Sequence, residues 1–145
     1  VITRNTRMVF LTKGVRKMLA NSKLDTVLST TDINRAKKFY GETLGLNAVT
    51  DVEMAGDDAM FQTSKGDRLY VYQRPSAPKA ENTVACFQVD DLEAEMADLT
   101  AKGVTFEEYD FPGLKTENGI ATMGSLKSAW FKDPDGNILC LNQVG

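Results

Sequence analysis

Cys86 and Cys140 are the only thiols in the chain, and Asp25, Gln88 and Asn142 are polar residues in or beside otherwise strand-like runs. Two thiols on one face can act as a redox or soft-metal pair, although a buried free cysteine also serves simply as a small hydrophobe. A carboxylate such as Asp25 or Glu53, if desolvated, can be tuned toward general acid-base work or pair with a cationic ligand. Trp130, Tyr70, Tyr72, Phe61 and Phe111 can stack on an aromatic or cationic compound. Gln88 and Asn142 can supply orienting hydrogen bonds in an apolar cleft. The composition sets the limit, because none of the 145 residues is histidine. Imidazole bases and Ser-His-Asp triads are therefore excluded, and no nucleophile elbow, phosphate loop or dinucleotide fingerprint is present.

These residues have to be positioned by elements, and the elements repeat. Leu24 to Thr30 reads as a half-buried strand, and Asp32 then supplies an N-cap oxygen. Ile33, Ala36, Phe39, Tyr40 and Leu44 follow at steps of three and four, which predicts a helix with one apolar face, closed by Gly45. Strands are predicted at 46–53, 59–63 and 68–73, so the first half is βαβββ. Residues 74–79, with two prolines, form a linker. The order then restarts with a strand at 83–89 and a helix capped by Asp91, with Leu92, Met96 and Leu99 on its buried side. Further strands are expected at 104–109, around 129–131 and at 138–142, with Asp133-Pro134-Asp135-Gly136-Asn137 as a tight turn. The glycine-rich segment 110–127 is expected to cover a pocket, part of it as a further strand. The acidic run Glu107, Glu108 and Asp110 is expected to be a solvated edge.

Apolar and charged fractions of 42% and 26% are those of an ordinary globule, and 145 residues suit one domain. The formal net charge of −3 argues against nucleic acid as a partner. No apolar run reaches the ~20 residues that span a bilayer, and no signal-peptide pattern is present. The cytoplasm, with both cysteines reduced, is the expected location. Six of the 17 basic residues fall within the first 24 positions, where no acid occurs. Residues 1–23 are therefore expected to be a peripheral extension, and 24–145 a single domain of two modules, 24–74 and 83–143.

The Asp-capped helix ending Phe39-Tyr40…Leu44-Gly45-Leu46, the repeat of its outline, and the late Trp130-Phe131-Lys132-Asp133-Pro134-Asp135-Gly136-Asn137 together resemble the vicinal oxygen chelate superfamily. Its members include glyoxalase I, extradiol dioxygenases and bleomycin-resistance proteins. The resemblance spans Leu24 to Gln143 and implies an α+β fold: two βαβββ modules forming curved mixed sheets around a cleft, helices outside. In metal-dependent relatives four inward side chains hold an ion. Those positions fall here at Asp25, near Val71, at Val84 and at Cys140, which do not make a divalent-metal site, because valine has no lone pair to donate.

With Val71 inward, strand alternation brings Gln73 to the cleft; Tyr70 and Tyr72 share the other face. Cys86 and Gln88 likewise share the face of Val84, and Asn142 that of Cys140. The expected ligand cleft is therefore Asp25, Val71, Gln73, Val84, Cys86, Gln88, Trp130, Cys140 and Asn142. The function this implies is metal-free binding of a mainly apolar small molecule, for sequestration or sensing, with no cofactor. Relatives imply a homodimer. The competing class is an enzyme, a glyoxalase-like lyase, isomerase or dioxygenase taking metal ligands from other positions; a purely structural or regulatory module is the third.

Overall fold

A computed structural model describes residues 19–52, 54 and 56–145. Residues 1–18 of the expected extension therefore lie outside the described residues, as does Glu53. The chain forms β1 (Thr26–Thr30), α1 (Ile33–Lys38), β2 (Asn47–Ala48), β3 (Ala59–Gln62), β4 (Arg68–Gln73), β5 (Thr83–Gln88), α2 (Leu92–Ala101), β6 (Asp110–Phe111), β7 (Leu114–Lys115), β8 (Ala121–Met123), β9 (Leu126–Lys132) and β10 (Ile138–Val144). One four-stranded sheet runs β1-β4-β3-β2 and the other β5-β10-β9-β8. Both are mixed: β1 lies parallel to β4 and β5 parallel to β10, while the other neighbours are antiparallel. This is the expected α+β duplication.

The two helices start alike. Asp32 accepts a hydrogen bond from the Arg35 N–H and Asp91 from the Ala94 N–H, each at 3.1 Å, so each helix has a carboxylate on its first turn. They end alike too, on Gly45 (φ 72°) and Gly103 (φ 94°), where a side chain would be strained. The first helix differs from expectation in its second half, because residues Phe39–Thr43 widen into a π-helical turn.

A second mirrored contact closes each module on itself. The Gln73 side-chain oxygen, at the end of β4, accepts from the Ile33 N–H at 3.1 Å, and that of Gln143, late in β10, accepts from the Leu92 N–H at 2.8 Å. Each satisfies a helix-start donor that has no partner within the helix. Replacing either glutamine by alanine is expected to cost about 1 kcal/mol. The two losses should add in the double variant, because the sites share no partner. Urea denaturation checks this, and a loss in only one module would disprove the mirrored role.

The core is one cluster across both modules, with Leu28, Tyr40, Phe61, Leu69 and Val71 from the first and Leu92, Ala129, Phe131, Leu139 and Leu141 from the second. The modules are fastened by the Asp133–Asn137 turn. Asp135 accepts from Thr30 Oγ1 (2.5 Å), Thr31 N (2.9 Å), Thr31 Oγ1 (2.9 Å) and Arg35 Nη2 (2.7 Å). Asp133 Oδ2 accepts from the Tyr40 hydroxyl at 2.5 Å, and Asn137 Nδ2 donates to Ser29 O at 3.1 Å. A motif legible only as a tight turn is thus the main polar tie between the halves.

Burial pushes the Asp135 carboxyl up, but its bonds from Thr30 and Thr31 and the Arg35 charge outweigh that and hold it below the usual carboxylate range. Its folded pKa lies under its unfolded one, so its stabilising contribution is present above about pH 4 and is lost as pH falls through the folded value. Asp135→Asn is expected to flatten the acid limb of stability below about pH 4. Urea midpoints taken across a pH series would show this.

Several expectations need correction. The 46–53 strand is only two residues long before the Val49 N–H reaches Met60 O at 2.9 Å. The 104–109 strand shrinks to a single bridge, Phe106 opposite Phe131, with the Glu107 N–H on Trp130 O at 2.8 Å. Within 110–127 lie the β6–β7 hairpin and β8, so the segment is largely structured. Nor is the acidic run simply a solvated edge. Glu108 accepts from Thr116 Oγ1 at 2.6 Å and Glu107 lies 3.9 Å from the Lys132 ammonium.

Candidate functional site

Strand alternation fixes which side chains leave the core. On β4, Leu69 and Val71 are buried, so Arg68, Tyr70 and Tyr72 point to the opposite, open face. On β10, Leu139 and Leu141 are buried in the core and Cys140 and Asn142 point away. Register completes the open face of the second sheet: Cys140 lies beside Trp130 on β9 and Cys86 on β5, and Asn142 beside Ser128 and Gln88.

Five expected residues are therefore brought together: Cys86, Gln88, Trp130, Cys140 and Asn142. The others are not. Val71 is 1% exposed in the core, and Gln73 holds the start of α1. Val84 packs against the core, because a register shift between Ile138 and Leu139 breaks the alternation of β5 against β10. Asp25 is exposed ahead of β1, and Phe61 is a core residue. The inward position expected near Val71 is a core position instead, because its pairing with Ala59 and Leu28 puts Val71 among core residues.

The polar centre of the second sheet's open face is compact. Ser128 Oγ donates to Asn142 Oδ1 at 2.7 Å, and Cys140 Sγ donates to the same oxygen at 3.1 Å. Burial pushes the Cys140 thiol up to about 12, with the Cys86 thiol beside it adding to the rise. At neutral pH it is protonated and acts as a hydrogen-bond donor. Beside it stands an aromatic wall. Tyr109 meets Trp130 edge-on at 5.6 Å and Phe111 at 5.7 Å, and Trp130 Nε1 donates to Thr83 Oγ1 at 3.2 Å. Burial, then the Glu107 charge, raises the Tyr109 hydroxyl, so it too stays protonated.

Tyr109 is the site residue that sequence reading missed. Its signal was its place as the last residue of the strand expected at 104–109, an aromatic ring two residues on from Glu107 and so on the same face. On the first sheet's open face, Tyr70 and Tyr72 stack with centroids 6.3 Å apart, and the Tyr70 hydroxyl donates to Asp58. That bond above all raises its pKa.

The four positions that hold an ion in metal-dependent relatives do not fit one here. Val71 and Val84 offer no donor and turn toward the core. Among the described residues, no group of three or more His, Cys, Asp or Glu side chains is placed to hold a metal. The face sets flat aromatic area beside the half-buried Asn142 amide, whose oxygen is held by the buried Ser128 and Cys140.

This fold of two repeated modules, each a helix on a four-stranded mixed sheet, defines a class, and the family model described as Glyoxalase/Bleomycin resistance protein/Dioxygenase superfamily matches residues 23–141. The chain belongs to that superfamily. Among similar solved structures is TnmS3, an antibiotic binding protein from Streptomyces sp. CB03234, at 26% identity and TM-score 0.64, covering 86% of this chain and 98% of that one. A glyoxalase/bleomycin resistance protein from the same organism is 27% identical, with TM-score 0.60 and coverage of 83% and 100%. Lactoylglutathione lyase from Agrobacterium tumefaciens shares the fold at 18% identity and TM-score 0.62, over 84% of this chain and 92% of that one.

Proposed function

We propose that this protein binds a mainly apolar, planar small molecule without a divalent ion, sequestering or sensing it in the cytoplasm. The observation that carries the reading is the Tyr109–Trp130 wall beside the Ser128–Asn142–Cys140 cluster, at a place where relatives of the lyase class need metal donors. Burial of the ligand's apolar area supplies the affinity, and the exposed Gln88 and half-buried Asn142 orient it, the Asn142 amide being held by the buried Ser128. The antibiotic-binding and bleomycin-resistance neighbours support an antibiotic-like ligand. Nucleic acid and membranes are not partners in this reading; no described helix is long and apolar enough to cross a bilayer.

A homodimer belongs to the same proposal. Val27, Phe111 and Val144 are exposed apolar groups, at 56%, 53% and 71%, that a second copy can cover, and β2 and β8 are open sheet edges. Sedimentation across a concentration series would test this, and a monomer at every concentration would refute it.

Trp130 is the only tryptophan in the chain, so its fluorescence reports directly on the site. Titration with a panel of planar aromatic compounds, neutral and cationic, and with bleomycin, is expected to give saturable changes for at least one. A flat response throughout would overturn the reading. So would stoichiometric nickel, zinc, iron or manganese surviving a chelator wash, which would favour the glyoxalase-like lyase, isomerase or dioxygenase instead.

A further inference from the structure

Cys86 and Cys140 are exact register partners on the parallel strands β5 and β10, and both are free thiols. They are also the only two cysteines of the chain. Neighbouring strands lie about 4.7–4.9 Å apart, and in-register side chains leave the sheet on the same side. That separation falls inside the ~4.4–6.8 Å Cα window in which a disulfide closes without moving backbone. The two thiols differ in access. Cys86 is exposed, whereas Cys140 is 1% exposed and hydrogen-bonded to Asn142. An exposed sulfur with a buried neighbour on the same face is the arrangement of an attacking and a resolving thiol.

We propose that Cys86 and Cys140 form a peroxide-oxidised, reversible disulfide that remodels the polar centre of the open face. The Cys86 sulfur attacks the O–O bond of a peroxide and takes up one oxygen as a sulfenic acid. With hydrogen peroxide, the second oxygen leaves as water. The Cys140 sulfur then attacks the sulfenic sulfur, the S–S bond forms, and the displaced hydroxyl leaves as water with the Cys140 proton. Two thiols and one peroxide thus become one disulfide and two waters, and a dithiol reductant reverses the step.

The bond has a local consequence. Cys140 loses its S–H donor, so Asn142 Oδ1 keeps only Ser128 of its two present donors and becomes available to another group. Oxidation therefore changes the hydrogen bonding of the proposed ligand face, yet the bond itself forms whether or not that face binds a small molecule.

The test uses the wild-type protein and hydrogen peroxide. Intact mass is expected to fall by two hydrogens, both cysteines to become resistant to alkylation, and the product to remain uncrosslinked between chains on non-reducing electrophoresis. Trp130, the register neighbour of Cys140, gives a second readout, its emission being quenched by the new disulfide and restored by dithiothreitol. Cys86→Ser and Cys140→Ser should each abolish the two-hydrogen loss. Retention of both alkylatable thiols, stepwise oxygen addition without S–S formation, or links only between chains would overturn the proposal. A failed ligand titration beside a clean disulfide would count against the binding reading alone.

Discussion

Replacing Asp133 with alanine is expected to lower the unfolding free energy by about 3–5 kcal/mol. The carboxylate is buried and accepts from four donors: the Tyr40 hydroxyl at 2.5 Å, Asn137 Nδ2 at 2.7 Å, Asn137 N at 2.8 Å and Asp135 N at 2.9 Å. Alanine leaves these donors stranded in a dry site, and each costs about 1–3 kcal/mol if water cannot reach it. Tyr40 is itself 1% exposed; burial first, then the Asp133 charge, holds its hydroxyl protonated and donating. Against a whole-domain stability of about 5–15 kcal/mol, a loss of that size threatens the native state. Asp133→Asn keeps the shape and one acceptor, so its loss should be smaller. Chemical denaturation followed by circular dichroism gives both values, and a loss under about 1 kcal/mol for the alanine variant would mean that the turn is not what joins the modules.

Trp130→Ala is expected to weaken ligand binding by about 30-fold or more, the loss of about 2 kcal/mol typical of a central aromatic anchor. Its effect on stability should be smaller, because the indole stands on the open face, where its polar contact is the 3.2 Å bond to Thr83. Trp130→Phe keeps a flat ring and should retain most of the affinity. Since the alanine variant lacks the fluorophore, calorimetry is the measurement, with the best compound from the panel as titrant. Unchanged affinity would move the site elsewhere. One alternative, which shares Cys86 and Gln88 with the face described above, is the groove of about 610 Å³ between the modules, also bordered by Leu24 and Arg68. Another, of about 760 Å³ and lined largely by polar and charged residues such as Glu93, Lys115 and Lys127, lies beside α2.

What was legible in the sequence had local causes. Asp32 and Asp91 cap helices through their own side chains, Gly45 and Gly103 end them, and the run Arg68 to Gln73 is a strand at its expected limits. The two-module order follows from such signals. The illegible parts depend on partners distant in the chain. Whether Val71 or Tyr70 faces the core is decided by pairing with β1 and β3, and a shift of one residue inverts the face. Val84 is turned by an irregularity whose partner is over 50 residues away. The roles of Asp133 and Asp135 needed the first module's Tyr40, Thr30 and Arg35 in place. Cys86, Gln88, Cys140 and Asn142 were legible as neighbours because both of their strands were correctly bounded near those residues.

The paired glutamines carry an implication for how such a molecule can arise. Each half brings its own fastener, a terminal amide that seals the opening turn of its own helix, so a half-length ancestor copied in tandem would start as two finished pieces rather than two fragments. The aspartate turn, besides its own internal bonds, reaches across the seam to Thr30, Thr31, Arg35 and Tyr40. It is the part that such copying alone does not supply, and its acquisition is what makes first and second halves no longer interchangeable.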